Sequence, residues 1–445
     1  SMGADAIGIN CSTGPDRMYK VLGQMKEYAR IPILVKPNAG IPQLVDGQTV
    51  FPMQADEFAQ AMEQMVLQGA NLIGGCCGTT PEHIRQMTDK VKNMKPQSPC
   101  GKIIGAITTE RNTVEISLDG HFIVIGERIN PTGKKVMQEE LRVGDLTIVS
   151  QMAKEQTELG AEILDINVGM NGINEKETMI EVLYQVLQIT EAPLSIDTSD
   201  PDVMEAALRI YPGRALINSI SYKEGQYEKL LAMAKKYGAM FILLPLSDKG
   251  MPKDMDEKRK IIHTILDAAL AQGLSKEDII IDGLVTTLGA DSNAAQDALN
   301  TIRYCKETLG IATVCGLSNI SFGMPERQFI NSTFLAFAIQ AGLTMAIANP
   351  SQELIMNTAL ASDLICAKEA SADRYVNTVR TVQMTKGDNK SGSSTKSGGK
   401  MNGTQNSKHE KKSDLPQEVR EHPIFDAVVK GNKKGIETLL KKELE

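Results

Sequence analysis

The sequence predicts an α/β protein whose main body is a (β/α)8 TIM barrel, and three observations lead there. Eight short apolar runs lie between residues 122 and 348, at steps of about 22 to 40 residues, which leave room for a helix after each strand. A β-sandwich would give shorter steps. The polar residues at the carboxyl ends of the runs are acids and amides, the residue types that face a ligand where parallel barrel strands converge on one mouth.

Taken in order, the runs are Phe122–Gly126, Glu162–Ile166, Pro193–Ile196, Ala215–Ser219, Met240–Leu244, Asp278–Asp282, Ala312–Gly316 and Leu343–Ala348. At or just after them come Glu127 and Asn130, Asp165 and Asn167, Asp197, Asn218, Pro245, Asp282, Asn319, and Asn349. Val149–Leu159 and Lys258–Ala271 have helical spacing between runs, and one last helix is expected from Ser351 to about Met384. A ring of carboxylates and amides, with no lysine or arginine among these positions, suits a ligand rich in N–H donors and poorly suits a phosphate.

Composition bounds the rest. At 445 residues the chain is long enough for two or three domains, and 42% hydrophobic content with 37 glycines fits buried parallel strands. A net charge of −7 without tryptophan argues against a nucleic-acid partner. No apolar stretch reaches the roughly 18–20 residues of a membrane span, so no membrane partner is expected. Seven cysteines without an export signal predict free thiols and a cytoplasmic location.

Ahead of the barrel, residues 1–97 hold strand-like runs ending near Ile9, Lys36 and Gly74. Helical stretches at Asp16–Ala29, Gln54–Gln68 and Pro81–Met94 separate them, with Pro81 suited to a first helical turn. This is the tail of a second, partial (β/α) barrel. The chain opens on a strand, so it is expected to be a piece of a longer protein, with Ser1-Met2 a cloning remnant. Residues 98–119 form a linker with a small strand or hairpin, and the barrel unit spans 120–384. Residues 385–413 collapse to Gly, Ser, Lys, Asn and Thr, a flexible tether. From 414 to 445 an amphipathic helical segment follows, too small to be stable alone.

The most specific local signal is Gly74-Gly-Cys-Cys-Gly-Thr79 together with Asn10-Cys-Ser12. Cys11, Cys76 and Cys77 at two strand ends supply three thiolates for one zinc ion, with a fourth position open to a substrate thiol. The competing reading is three small buried hydrophobes.

At these residues the chain resembles a known family. Ile9–Ser12 and Gly74–Pro81 look like the zinc site of homocysteine S-methyltransferases. Ile125–Thr132, Leu164–Gly169, Ser195–Ser199, Ile217–Ser221 and Gly316–Gly323 resemble the pterin-binding barrel of cobalamin-dependent methionine synthases. The tail from Leu415 is similar to the opening of the helical cap over their cobalamin-binding module. The resemblance implies 5-methyltetrahydrofolate, cobalamin and zinc, small-molecule substrates, and a cobalamin-binding module beyond this chain as partner. It implies methyl transfer from 5-methyltetrahydrofolate to cob(I)alamin, then to zinc-bound homocysteine to give methionine.

The pterin contacts it implies fall on Asp197, Asn218, Asp282 and Asn319, with Asn130 nearby. Asp165, Gly316 and Ser321 complete the expected folate site. Asp282 is assigned to the amidine-like ring edge, and Asn319 to the N5 nitrogen that carries the methyl group. Asn319 and Asp197 are the expected catalytic residues. Alternative roles are open: Asp197 as a cap of the following helix, Asp165 and Asn167 as braces of the barrel rim, Glu127 and Arg128 as structural pairs. Alternative functions are a dihydropteroate synthase, a methyltetrahydrofolate:corrinoid protein methyltransferase, and a non-catalytic folate-binding scaffold. The lysine that dihydropteroate synthases carry in the strand-seven loop is absent, since Asn319 and Ile320 stand there.

Overall fold

A computed structural model describes residues 4–388. Its first part is a three-stranded parallel sheet, β1 (Ile7–Asn10), β2 (Ile33–Lys36) and β5 (Leu72–Ile73), in the order β1-β2-β5. Helices α1 (Pro15–Tyr28), α2 (Ala55–Gln68) and α3 (Pro81–Val91) follow the strands. Pro15 and Pro81 open their helices, where a missing N–H costs nothing. Gln54 and Glu57 close a capping box at the start of α2. Met18 and Leu22, one turn apart, join Val35, Phe58 and Met62 in a sealed core.

A short hairpin, β3 (Gln43–Val45) with β4 (Gln48–Val50), has no counterpart in the sequence reading. Its signal was present: Asp46-Gly47, both at positive φ (50° and 76°), is the two-residue turn that closes such hairpins.

The hairpin β6 (Gly105–Thr108) and β7 (Thr113–Ile116) leads into the barrel strands. These are β8 (Ile123–Ile129), β9 (Ile163–Ile166), β10 (Leu194–Asp197), β11 (Leu216–Tyr222), β12 (Met240–Ser247), β13 (Ile279–Asp282), β14 (Ala312–Gly316) and β15 (Met345–Ala348). They close on themselves in sequence order with every pair parallel, each strand matching one predicted run. Ile107, Val114 and Ile116 of the hairpin pack among Ile125, Ile163, Ile242 and Met345, forming the barrel floor. Beside it Arg214 pairs with Asp278 and donates to the carbonyls of Gly238 (3.0 Å) and Ile104 (3.2 Å).

The barrel helices include α4 (Lys135–Val143), α5 (Thr147–Glu158), α6 (Glu175–Ile189), α7 (Pro201–Ile210), α8 (Tyr227–Tyr237), α9 (Met255–Ala271), α10 (Ala294–Arg303) and α11 (Arg327–Ala341). The single last helix read from the sequence is two, α12 (Glu353–Ile365) and α13 (Ser371–Asp388). The chain turns between them, with Ala367 and Ala370 both at φ 52°. Asp363 explains the break: at 2% exposed it accepts from the Phe122 N–H (2.9 Å) and from Arg374 (3.2 Å), pinning both helices to the start of β8. The expected tether begins inside α13 and, from residue 389, lies outside the described residues, as does the segment 414–445. Among the described residues no helix is long and apolar enough to cross a membrane.

Candidate active sites

The three cysteines meet. Cys11 follows β1, and Cys76 and Cys77 follow β5; their Sγ atoms all lie within 4.8 Å of one another, with Cys11–Cys77 at 3.7 Å and Cys76–Cys77 at 3.9 Å. The end of β2 assembles them. The Lys36 carbonyl accepts from Cys11 N–H (2.9 Å), Pro37 from Cys76 (2.9 Å), and Asn38 Oδ1 from Cys77 (3.2 Å). Cys11 and Ser12 sit at φ 61° and 63°, left-handed backbone that costs a non-glycine residue energy and turns the chain sharply at the sulfur. Gly78, at φ +81°, allows no side chain, because a Cβ would stand 2.3 Å from Phe51.

Hydrogen bonding from the Ser12 backbone and the neighbouring sulfurs draws the Cys11 thiol below its ordinary range, while Cys11 pushes Cys77 up. Zinc bound by thiolates at about 2.3 Å in a tetrahedron needs sulfurs about 3.8 Å apart. The two closest pairs meet that spacing, and three thiols leave a fourth position open. The donor set fits the ion.

The mouth of the barrel gathers the acids and amides. Asp165, 5% exposed on β9, accepts from Asn218 Nδ2 of β11 at 3.0 Å. Burial first, then the charge of Asp197, pushes the Asp165 carboxyl up to about 7. Asp197, at the end of β10, accepts from Asn167 Nδ2 at 2.8 Å, and burial raises its carboxyl as well. Two amide–acid bonds thus cross the rim from β9. The helix-cap role considered for Asp197 falls to Asp200, which accepts from Asp202 and Val203 N–H.

Asp282 closes β13. Its Oδ1 accepts from Leu284 N–H at 2.7 Å, and Oδ2 has no partner among the described residues. Burial pushes this carboxyl up to about 6, against the pull of the Leu284 N–H and the Lys258 charge. Asn319 lies exposed in a short helical turn, Leu317–Ser321, after β14. Its amide folds over Gly316, where a Cβ would come within 3.0 Å of Asn319 Nδ2. Asn130, after β8, turns its own loop by accepting from Thr132 N–H at 2.9 Å. Ser321 is fully buried and accepts from Arg327 Nε at 3.0 Å, which ties the loop to α11.

Three neighbours stand outside the expected folate site: Glu127, read from the sequence as a strand-end acid or structural partner, and two cations the sequence reading did not name. Glu127 on β8 accepts from Ser318 Oγ at 3.0 Å, and burial raises its carboxyl. Lys134 donates to the carbonyls of Arg128 and Asn130 (both 2.9 Å), and Arg327 Nη2 to the Ser318 carbonyl (2.6 Å). The charges of both reach Glu127. At the strand ends Arg128 of β8 is committed to Glu155 at 2.7 Å, and Lys134 and Arg327 join the mouth from the following segments. Lys134 stands four residues beyond Asn130, close enough in sequence to have been considered.

A cavity of about 750 Å³ lies at the opposite end of the barrel, lined by His121, Glu115, Glu162 and Glu191 among others. None of the predicted site residues reaches it.

Residues 1–91 match the homocysteine S-methyltransferase family and residues 126–349 the pterin binding enzyme family. Methionine synthases of Mycobacterium tuberculosis (strain ATCC 25618 / H37Rv) and Mycobacterium leprae (strain TN) are each 32% identical, over 370 and 375 residues, 80% of this chain and 31% of theirs. The chain therefore spans about a third of the length of these curated relatives. Dihydropteroate synthases of Xanthomonas albilineans and Vibrio fischeri ES114 superpose with TM-scores of 0.46, at 18% and 14% identity, covering 60% and 59% of this chain and 99% of each of theirs. With the pterin match covering half of its residues, the chain belongs to the pterin binding enzyme family, and it carries a homocysteine S-methyltransferase region ahead of the barrel.

Proposed function

We propose that the barrel mouth binds 5-methyltetrahydrofolate and presents its N5 methyl group to cob(I)alamin, as one half of methionine synthesis. The observation that carries this reading is the crown itself: three buried carboxylates, two of them braced by amides, around one opening. A reduced pterin offers an amino group beside a ring N–H. Asp282 accepts from that edge, through bonds worth roughly 1.5–3 kcal/mol each when desolvated. Asn218 and Asp197 read the remaining ring nitrogens, and Asn130, Gly316 and Ser321 shape the loops around them. The two curated relatives described above, both methionine synthases, favour this over dihydropteroate synthesis.

A tertiary amine leaves poorly, so N5 must carry a proton when its methyl group departs. Asn319 is neutral and cannot supply that proton; its carbonyl oxygen accepts a hydrogen bond from protonated N5 and so stabilises it. Asp165, with its carboxyl near neutrality, gives the crown a group able to hold a proton under ordinary conditions. Cys11, Cys76 and Cys77 hold zinc, which supplies a Lewis-acidic position that keeps the homocysteine thiol as thiolate.

Calorimetric titration with 5-methyltetrahydrofolate, followed by a cob(I)alamin methylation assay, tests the reading. Asp282→Asn should mainly weaken binding, and Asn319→Ala should mainly slow transfer. Equal losses of both quantities in both variants would contradict these roles, and no heat of binding by the unaltered chain would end the proposal.

A further inference from the structure

His83 stands in the first turn of α3, just beyond the paired cysteines, and is 8% exposed. Its imidazole is bound at both ends. Nδ1 accepts from the Thr80 hydroxyl (2.8 Å) and the Thr80 N–H (3.3 Å), and Nε2 donates to the Met53 carbonyl at 3.0 Å. A backbone N–H can only donate and a carbonyl can only accept, so both neighbours demand the same tautomer, with its hydrogen on Nε2. The ring also meets Phe58 edge-on, with centroids 5.6 Å apart and planes at 74°. His83 takes the place of the usual Glu or Gln in a capping box with Thr80, a role that needs only an acceptor. The donor end is surplus to capping.

That donor closes a circuit of bonds around the thiol cluster. Met53 N–H donates to the Ala39 carbonyl (3.1 Å), and Ala39 N–H to the Cys77 carbonyl (2.9 Å). Beside them Asn38, 3% exposed, accepts from Cys77 N–H (3.2 Å). On the other side Thr79 returns to the Cys76 carbonyl through its N–H (3.2 Å) and its hydroxyl (2.7 Å), and Thr80 leads back to the ring. One side chain thus joins the segment that carries two of the sulfurs to the segment that braces it.

We propose that His83 is a positioning residue for the metal site, holding Cys76 and Cys77 at zinc-binding spacing through the Met53–Ala39 bridge and the Thr79–Thr80 turn. The inference deepens the zinc reading and rests on it.

Two variants separate clamping from capping. His83→Gln keeps an acceptor for Thr80 and a donor for Met53, whereas His83→Glu keeps the acceptor alone. Zinc affinity of the full chain is measured by competition with a chromophoric chelator, and thiolate ligation by the charge-transfer absorption of bound Co(II). His83→Glu should bind zinc about 10- to 100-fold more weakly, with weakened charge-transfer bands, and His83→Gln should stay within about threefold of the unaltered chain. Unchanged affinity and spectrum in His83→Glu overturn the proposal. Equal losses in both variants overturn it as well, because they mark a packing role.

Hydrogen exchange of the metal-free chain reads the clamp by itself. The Ala39 and Cys77 amides should exchange about tenfold faster in His83→Glu than in His83→Gln. Equal exchange overturns the clamp, whereas an unaltered chain that retains no zinc while the exchange difference stands fails the zinc reading alone.

Discussion

Replacing Asp165 by asparagine should make the protein more stable at pH 8 while leaving it nearly unchanged at low pH. In the folded chain burial and the Asp197 charge move this carboxyl from 3.8 to about 7. Between those values the folded state keeps a proton that the unfolded state has released. Unfolding therefore releases a proton, and stability falls as pH rises through that window and levels off above it. The shift is about three units, or roughly 4 kcal/mol, of which about two units, roughly 3 kcal/mol, lie between pH 5 and 8. Asparagine has nearly the same shape, and its carbonyl oxygen can still accept from Asn218, so the brace at 3.0 Å survives. Urea denaturation followed by circular dichroism at pH 5 and pH 8 measures the difference. The unaltered chain should lose about 3 kcal/mol more than Asp165→Asn across that interval. Parallel losses in the two proteins would show that Asp165 does not hold its proton to neutrality, and the argument that the crown stores one would fall with it.

Gly316→Ala tests the placement of Asn319 without touching it. The new methyl group would stand 3.0 Å from Asn319 Nδ2 and displace the amide, while the backbone there, at φ −74°, accepts alanine without strain. Stopped-flow methyl transfer to cob(I)alamin should slow at least tenfold, with folate affinity measured by calorimetry little changed. Cys76→Ala should abolish tight zinc retention in metal analysis after loading and dialysis, whereas Cys100→Ala, an exposed thiol outside the cluster, should retain one equivalent.

The barrel was legible because its signal is redundant. Each strand is a run of apolar residues buried on both faces, and each run ends where the backbone must present polar groups at the mouth. The same rule exposed Asp165, Asp197, Asn218 and Asp282, all on strands. Residues held by loops and helices were harder to see. Glu127 was read as a strand-end acid, but its bond to Ser318 depends on a turn after β14, some 190 residues away. Lys258 sits in a helix whose spacing marks only which face is inward, and a lysine on such a face reads as an exposed one until packing is known. The break between α12 and α13 was hidden for a similar reason. No glycine or proline marks it, and Asp363 produces it by bonding to a backbone N–H 241 residues distant.

The crown's electrostatics explain why these acids can serve one ligand without repelling one another. Asp165 and Asp197 both reach across from neighbouring strands, and the amides of Asn218 and Asn167 that brace them can donate to either protonation state of the pair. Burial and the Asp197 charge raise Asp165, and burial and the Glu175 charge raise Asp197, so a proton is retained on Asp165 near neutrality. Asp282 lies apart, and with its carboxyl raised to about 6, against about 7 for Asp165, it gives up its proton first and serves as the acceptor at neutral pH. The mouth thus offers one committed acceptor and one reservoir for a proton. A neutral ring bearing several N–H groups and a basic nitrogen meets an acceptor on one edge and a proton source within the same crown.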